Sequence, residues 1–337
     1  MPDPTTLLLG LVVLIALVFD FTNGAHDSAN AIATIVSTKV LSPRTAVFLA
    51  ATLNIAGAFI GTKVALTIGS GIVNPELVMG HQSLVLTALL GAIFWNLLTW
   101  YWGLPSSSSH ALIGGLIGSS VMYAGWEALN YMTILKKIVL PLVLSPLAGF
   151  LSGYLIMLAL SWLFVRAHPA RINQTFKKLQ IVSSAFMATS HGMNDAQKTM
   201  GIITLALFIF HAIPEMQVPN WVKISCALAM GLGTAMGGWK IVKTMGHKIF
   251  KLEPIHGFAA ETSASLVITG ASFLGAPIST THTISTSIIG VGASKRLSAV
   301  RWGVAESMIM AWVMTIPASA VVAASCFLVL DLLGLAF

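Results

Sequence analysis

Apolar residues recur along the whole chain in runs at 7–19, 46–60, 84–104, 111–126, 138–165, 199–213, 222–237, 264–276 and 303–330. Runs of this length predict helices that lie in a lipid phase. Several are shorter than the roughly 20 residues a span needs, and those adjoin polar motifs, which predicts broken helices. Four interruptions are expected, at 22–30, 105–109, 190–198 and 277–281. Backbone left unpaired at membrane depth survives only where protein or a water-filled cavity satisfies it, so the four must meet. The run 7–19 has no basic segment before it and no small-residue cleavage site after it, so it is expected to stay as a span.

Composition agrees with the pattern. Hydrophobic residues make up 56% of the 337 and charged residues 9%, with a mean hydropathy of +0.87. A soluble protein carries about 25% charged residues. The expected partner is therefore a lipid bilayer. The net charge of +7 is spread between the runs and forms no basic stripe, which argues against nucleic acid. Cys226 and Cys326 have neither disulfide nor metal-site spacing and are expected to be small buried side chains. No cofactor is implied.

Three features occur once in each half, in the same order. Asn23-Gly-Ala-His26-Asp27 is matched by His191-Gly-Met-Asn194-Asp195. Gly61-Thr-Lys63-Val-Ala-Leu-Thr67-Ile-Gly69 is matched by Gly238-Trp-Lys240-Ile-Val-Lys-Thr244-Met-Gly246. Pro105-Ser-Ser-Ser-Ser-His110 is matched by Pro277-Ile-Ser-Thr-Thr-His282, and Gly118 and Gly290 follow in the same register. The chain reads as a duplication, with repeats over 1–165 and 181–337 and a cytoplasmic linker over 166–180.

Charge sets the relation between the repeats. With the N-terminus outside and an odd number of crossings per repeat, 13 of the 18 Lys and Arg fall inside. Lys136, Lys137 and Lys223 fall outside, and Lys63 and Lys198 lie within membrane segments. The positive-inside rule favours this orientation, which puts both termini outside and inverts one repeat against the other. The expected fold is all-α and polytopic, two inverted-topology repeats with broken or re-entrant helices and about 10–12 membrane segments. Such an architecture points to a secondary transporter with its site near the midplane.

The hydroxyl runs Ser107-Ser108-Ser109 and Ser279-Thr280-Thr281 each precede a resumed helix, whose free N–H groups and dipole end suit an anion. Hydroxyls both donate and accept, so a tetrahedral oxyanion that carries a proton fits best. Packing of small residues between membrane helices is the plainer explanation of such runs. Asp27 and Asp195 are costly at membrane depth and suit a cation or a proton. Asn30 lies three residues after Asp27, where the second repeat has Lys198. His26 and His191 flank the acids, and Asn194 joins the substrate set. Glu261 is a candidate proton carrier, with pairing to a nearby Lys as the alternative.

These residues resemble the inorganic phosphate transporter (PiT) family from end to end. The matching stretches are NGAHDSANAIAT at 23–34, PSSSSHALIGG at 105–115, SHGMNDAQKTMG at 190–201, HGFAAETSAS at 256–265 and PISTTH at 277–282. The resemblance implies phosphate symport by alternating access in a bacterial inner-membrane homodimer. It implies that the hydroxyl triplets hold phosphate, that the Asn-Asp motifs hold coupling ions, and that His191 and Glu261 matter for transport. The sodium-coupled pattern Asn-Asp-Val-Ala-Asn is absent here. The motifs resemble the branch associated with proton-coupled uptake of phosphate, sometimes as a neutral metal-phosphate complex. Sodium coupling and sulfate transport are the alternatives. An intramembrane hydrolase is disfavoured, because Ser109 and His110 are neighbours that cannot face one another on a helix and no Gly-x-Ser-x-Gly occurs.

Overall fold

A computed structural model describes residues 4–73 and 81–335, and these form helices and short connections with no strand among them. The first half holds α1 (Pro4–Ser37), α2 (Pro43–Ala58), α3 (Lys63–Gly71), α4 (Gln82–Trp102), α5 (Ser108–Ala124) and α6 (Tyr131–Leu163). The second holds α7 (Pro169–Ile209), α8 (Asn220–Met236), α9 (Trp239–Lys243, continued by a π turn over Thr244–Lys248), α10 (Pro254–Phe273), α11 (Thr280–Lys295) and α12 (Trp302–Leu332). Among the described residues, four helices are individually long and apolar enough to cross a membrane: Thr6–Ser37, Ser83–Trp102, Tyr131–Leu163 and Trp302–Leu332. The α2–α3 pair, bent by 75°, makes a fifth. α6 and α12 turn Leu151, Leu155, Val313 and Val321 outward, as lipid contact requires, while α5 and α11 are enclosed.

Two of the four expected interruptions are breaks and two are not. At 105–109 and 277–281 the backbone does leave the helix. α4 ends on Gly103 (φ 66°), and the turn after α10 holds Gly275 (φ 70°), each two residues before a proline. A left-handed Gly ends a helix cheaply, and the proline after it cannot continue one. At 22–30 and 190–198 the chain stays helical, inside α1 and the 41-residue α7. Neither stretch contains proline, and their polar side chains find partners on neighbouring helices, so the backbone has no reason to open. Residues 169–180, expected to be a linker, are likewise helical and form the first turns of α7.

α1 and α7 cross antiparallel at the centre. Thr199 bonds Asp20, Ser184 bonds the carbonyl of Ala31, and Thr38 bonds Gln180. Apolar clusters lie on either side of the crossing. One includes Phe19, Leu89, Leu112, Met200 and Met230, the other Ile32, Met187, Ile268 and Ile284. Each cluster draws on both halves of the chain, so neither half has a core of its own.

The halves exchange partners reciprocally. α6 packs on α11 as α12 packs on α5, and α8 packs on α1 as α2 packs on α7. The close approach is specific: a Cβ on Gly118 would lie 2.1 Å from the Ala320 carbonyl oxygen, and one on Gly290 would lie 2.1 Å from that of Phe150. The duplicated Gly-x-Lys motifs are explained in the same way. Lys63 Nζ donates to the Phe273 carbonyl at 3.2 Å and Lys240 Nζ to that of Tyr101 at 3.0 Å. Thr67 and Thr244 donate to the carbonyls of Gly275 and Gly103. Each motif thus caps the end of the other half's pre-loop helix, where a cation also favours the dipole.

Candidate functional site

The polar stretches of α1 and α7 meet where these helices cross. Asp27 and Asp195 are buried, and with His191 they present ligand atoms all within 4.8 Å of one another. α11 brings Thr280 and Thr281 onto the two acids. Thr280 Oγ1 donates to Asp195 Oδ2 at 3.0 Å, and Thr281 Oγ1 donates to Asp27 Oδ1 at 3.3 Å. Asn30 Nδ2 donates to both hydroxyls, at 3.2 and 2.9 Å.

Lys198 takes the equivalent place in the second repeat. It is 1% exposed, so it does not reach an interface. Its ammonium lies 2.5 Å from Asp195 Oδ1, 3.0 Å from the Ile278 carbonyl oxygen, and in contact with Ser109 Oγ. Asn30 and Lys198 therefore each reach the hydroxyl triplet of the other repeat.

The six hydroxyls divide by role. Ser107 and Ser279 cap their own helices, accepting from the N–H groups of His110 and His282. Ser109, Thr280 and Thr281 touch the ionisable groups, and buried Ser108 Oγ has no partner among the described residues. The His110 and His282 rings lie 5.0 Å apart, so the first turns of α5 and α11 face each other. Two helix N-termini, a hydroxyl set, an ammonium and two carboxylates thus converge in one buried region. Such a site can hold an anion on the N–H, hydroxyl and ammonium donors while the carboxylates take protons or cations.

The other expected residues lie close by or further out. His26 Nδ1 is 2.7 Å from Asp27 Oδ1, and its Nε2 faces Thr99 and Ser106. His191 Nε2 faces Asp195 Oδ2 at 3.2 Å, and Nδ1 lies 3.1 Å from Asn54 Oδ1. Asn194 is turned towards Ser272 on α10, at 2.7 Å, and is bonded to neither triplet. Glu261 is away from the acids, held by Thr34, Gln180 and Ser183, with no Lys in ion-pairing range among the described residues. Through Gln180 and Thr38 it connects to a cavity of about 880 Å³ lined by Thr38, Lys39, Lys177 and Glu253.

Asp20, Asn54, Thr99 and Gln180 join this network without being expected from the sequence. Only Asp20 carries a sequence signal, an acid at the end of the first apolar run; the others are defined by what crosses them. Cys226 is buried as expected, beside Asp20, whereas Cys326 is only partly buried.

A lipid-facing helical bundle with an enclosed polar site between duplicated helices describes a membrane transport protein. The sequence profile of the Phosphate transporter family matches residues 23–171 and 165–323, and the chain belongs to that family. It is 51% identical to a "probable low-affinity inorganic phosphate transporter" of Rhizobium meliloti (strain 1021), over 97% of this chain and 98% of the relative. It is 47% identical to a protein of the same description from Bacillus subtilis (strain 168), over 98% and 99%. Among solved structures it resembles "The sodium-dependent phosphate transporter", with a TM-score of 0.84, 25% identity and coverage of 96% and 99%. These relatives are transporters, which removes the hydrolase alternative.

Proposed function

We propose that the protein is a secondary transporter that carries inorganic phosphate across the bacterial plasma membrane, driven by protons, through alternating access between inverted halves. The family and the relatives' descriptions support phosphate. The site supports it too, since a protonated oxyanion can both accept from Ser108, Thr280 and Lys198 and donate to a carboxylate. Sulfate has no proton to donate at neutral pH. The antiparallel crossing of α1 and α7, which carry the duplicated motifs, supports inversion of 1–165 against 181–337, with 166–180 near the cytoplasmic face.

The observation that carries the coupling proposal is the buried Lys198–Asp195 pair. Its ammonium stands where a cation ligated by Asp195 would stand, so one positive charge is built in and needs no sodium. Glu261 then serves as the proton's way out, through Gln180 and Thr38 to the cavity rimmed by Lys39 and Lys177. A sodium-driven mechanism is the second reading. It draws on the Asp27, His191 and Asp195 cluster and on the sodium-dependent structural relative. Uptake of labelled phosphate into proteoliposomes, under an imposed pH or sodium gradient and with sulfate as competitor, separates these outcomes. Accumulation with the pH gradient alone is expected, and dependence on sodium or full competition by sulfate would overturn the proposal.

A further inference from the structure

A second buried acid lies on the α1–α7 seam, on the far side of the site from Glu261. Asp20 is 0% exposed and sits two helical turns before Asp27. Thr34, which bonds Glu261, sits two turns after it. At about 1.5 Å rise per residue each step is about 10 Å. The partners on α7 keep the same order: Thr199 bonds Asp20, Asp195 bonds the anion-site hydroxyl Thr280, and Ser183 bonds Glu261. Carboxyl groups therefore stand at three levels along one seam, with the anion site at the middle level.

Asp20 is not satisfied as a structural acid would be. Thr199 Oγ1 donates to Oδ1 at 2.8 Å and the Asn23 and Cys226 side chains lie alongside, but among the described residues buried Oδ2 and buried Oδ1 of Asn23 have no hydrogen bond of normal geometry. The ionisable groups that face it are the Cys226 thiol from α8 and Asp195 from α7, and no basic side chain pairs with it among the described residues. Phe19, Val222 and Met230 belong to the apolar cluster of this region. A carboxylate in such surroundings has to be neutralised by a proton or a cation. Hard cations take about six or more oxygen ligands, and two free oxygens fall well short.

We propose that Asp20 is a proton-carrying site for the coupling proton, on the opposite side of the anion pocket from Glu261. The proposal rests on the proton-coupled reading above. When α1 and α8 part on that side, the carboxylate binds a proton from water and becomes a carboxylic acid. When the protein closes, the proton leaves the same oxygen for the acceptors of the central site. Only O–H bonds form and break. With the N-terminus outside, Asp20 is the outer station and Glu261 the inner one.

The test uses the full-length protein in proteoliposomes, with Asp20→Asn and Asp20→Glu beside the wild type. Two quantities are read: phosphate accumulation under an acid-outside gradient, and phosphate exchange at equal pH on both sides. Asp20→Asn should keep exchange but no longer raise internal phosphate above external, and its uptake should stop responding to external pH. Asp20→Glu should restore both responses. Wild-type accumulation by Asp20→Asn would overturn the proposal, and loss of exchange in both variants would reduce Asp20 to packing. A wild type driven by sodium and indifferent to pH would instead overturn the coupling reading on which the proposal rests.

Discussion

The ammonium of Lys198 lies 2.5 Å from Oδ1 of Asp195, one helical turn earlier on the same buried face of α7. In the first repeat the equivalent residue is Asn30, which is neutral and bonds Thr280 and Thr281 instead. At this position the two repeats therefore differ by one charge.

Lys198→Asn removes that charge and leaves the Asp195 carboxylate buried without its ammonium. Breaking a buried pair in this way costs about 3–5 kcal/mol. The variant should lose thermal stability in detergent and transport phosphate poorly. Sodium should raise its melting temperature, because a ligand that binds only the folded state stabilises it. The wild type should show no such shift. Full activity without any change in ion requirement would remove Lys198 from coupling.

Ser108→Ala is the cleanest probe of the proposed anion site, since Ser108 Oγ has no hydrogen-bond partner among the described residues. Stability should be unchanged. Phosphate affinity should fall by about two- to tenfold, the equivalent of one net hydrogen bond of about 0.5–1.5 kcal/mol. Thr280→Ala should weaken binding similarly and also cost stability, because Thr280 already bonds Asp195. Titration calorimetry with phosphate measures both effects, and unchanged affinity in Ser108→Ala would take that residue out of the site.

Glu261→Gln should abolish accumulation driven by a pH gradient while leaving part of the phosphate exchange. In the wild type, uptake should rise as the outside becomes more acidic than the inside, since protons and phosphate then enter together. The variant should be flat across the same range. If it still accumulates phosphate on a pH gradient, Glu261 serves only to tie α1, α7 and α10 together.

Gly118→Ala and Gly290→Ala should destabilise to a similar degree, because each new Cβ would lie 2.1 Å from a carbonyl oxygen of the partner helix. Overpacking of this kind costs about 1–3 kcal/mol. Gly270→Ala, with nothing within 4 Å of its Cβ, is the control. Thermal unfolding in detergent reads all three, and equal melting temperatures would deny the reciprocal packing of α12 on α5 and α6 on α11.

A tag at residue 170 should be reached only from the cytoplasm, and tags at the termini only from outside. Accessibility labelling of intact cells checks this. A terminus on the same side as residue 170 would remove the inverted arrangement.

Residue order alone was enough to place the chain in a membrane, to show motifs recurring in both halves, and to point to the polar residues that the structure brings together on α1, α7 and α11. A charged fraction of 9% leaves few ionisable groups to choose among, and a Pro-hydroxyl-His motif present in the same register of both halves is hard to produce by chance. The two true breaks were legible as well, because Gly and Pro state their effect on the backbone locally. That 22–30 and 190–198 remain helical emerges only from the packed helices. Polar side chains look like interruptions until Thr280, Ser272 and Thr99, from distant parts of the chain, are seen to satisfy them. The same holds for Lys63 and Lys240, whose role is to cap helices of the opposite half. It holds for Asn194 and Glu261 too: their types were legible, but whether they face the hydroxyl triplets is fixed by how α10 packs on α7. Local conformation is written in neighbouring residues, whereas the partner of a buried polar group is set by helices far apart in sequence.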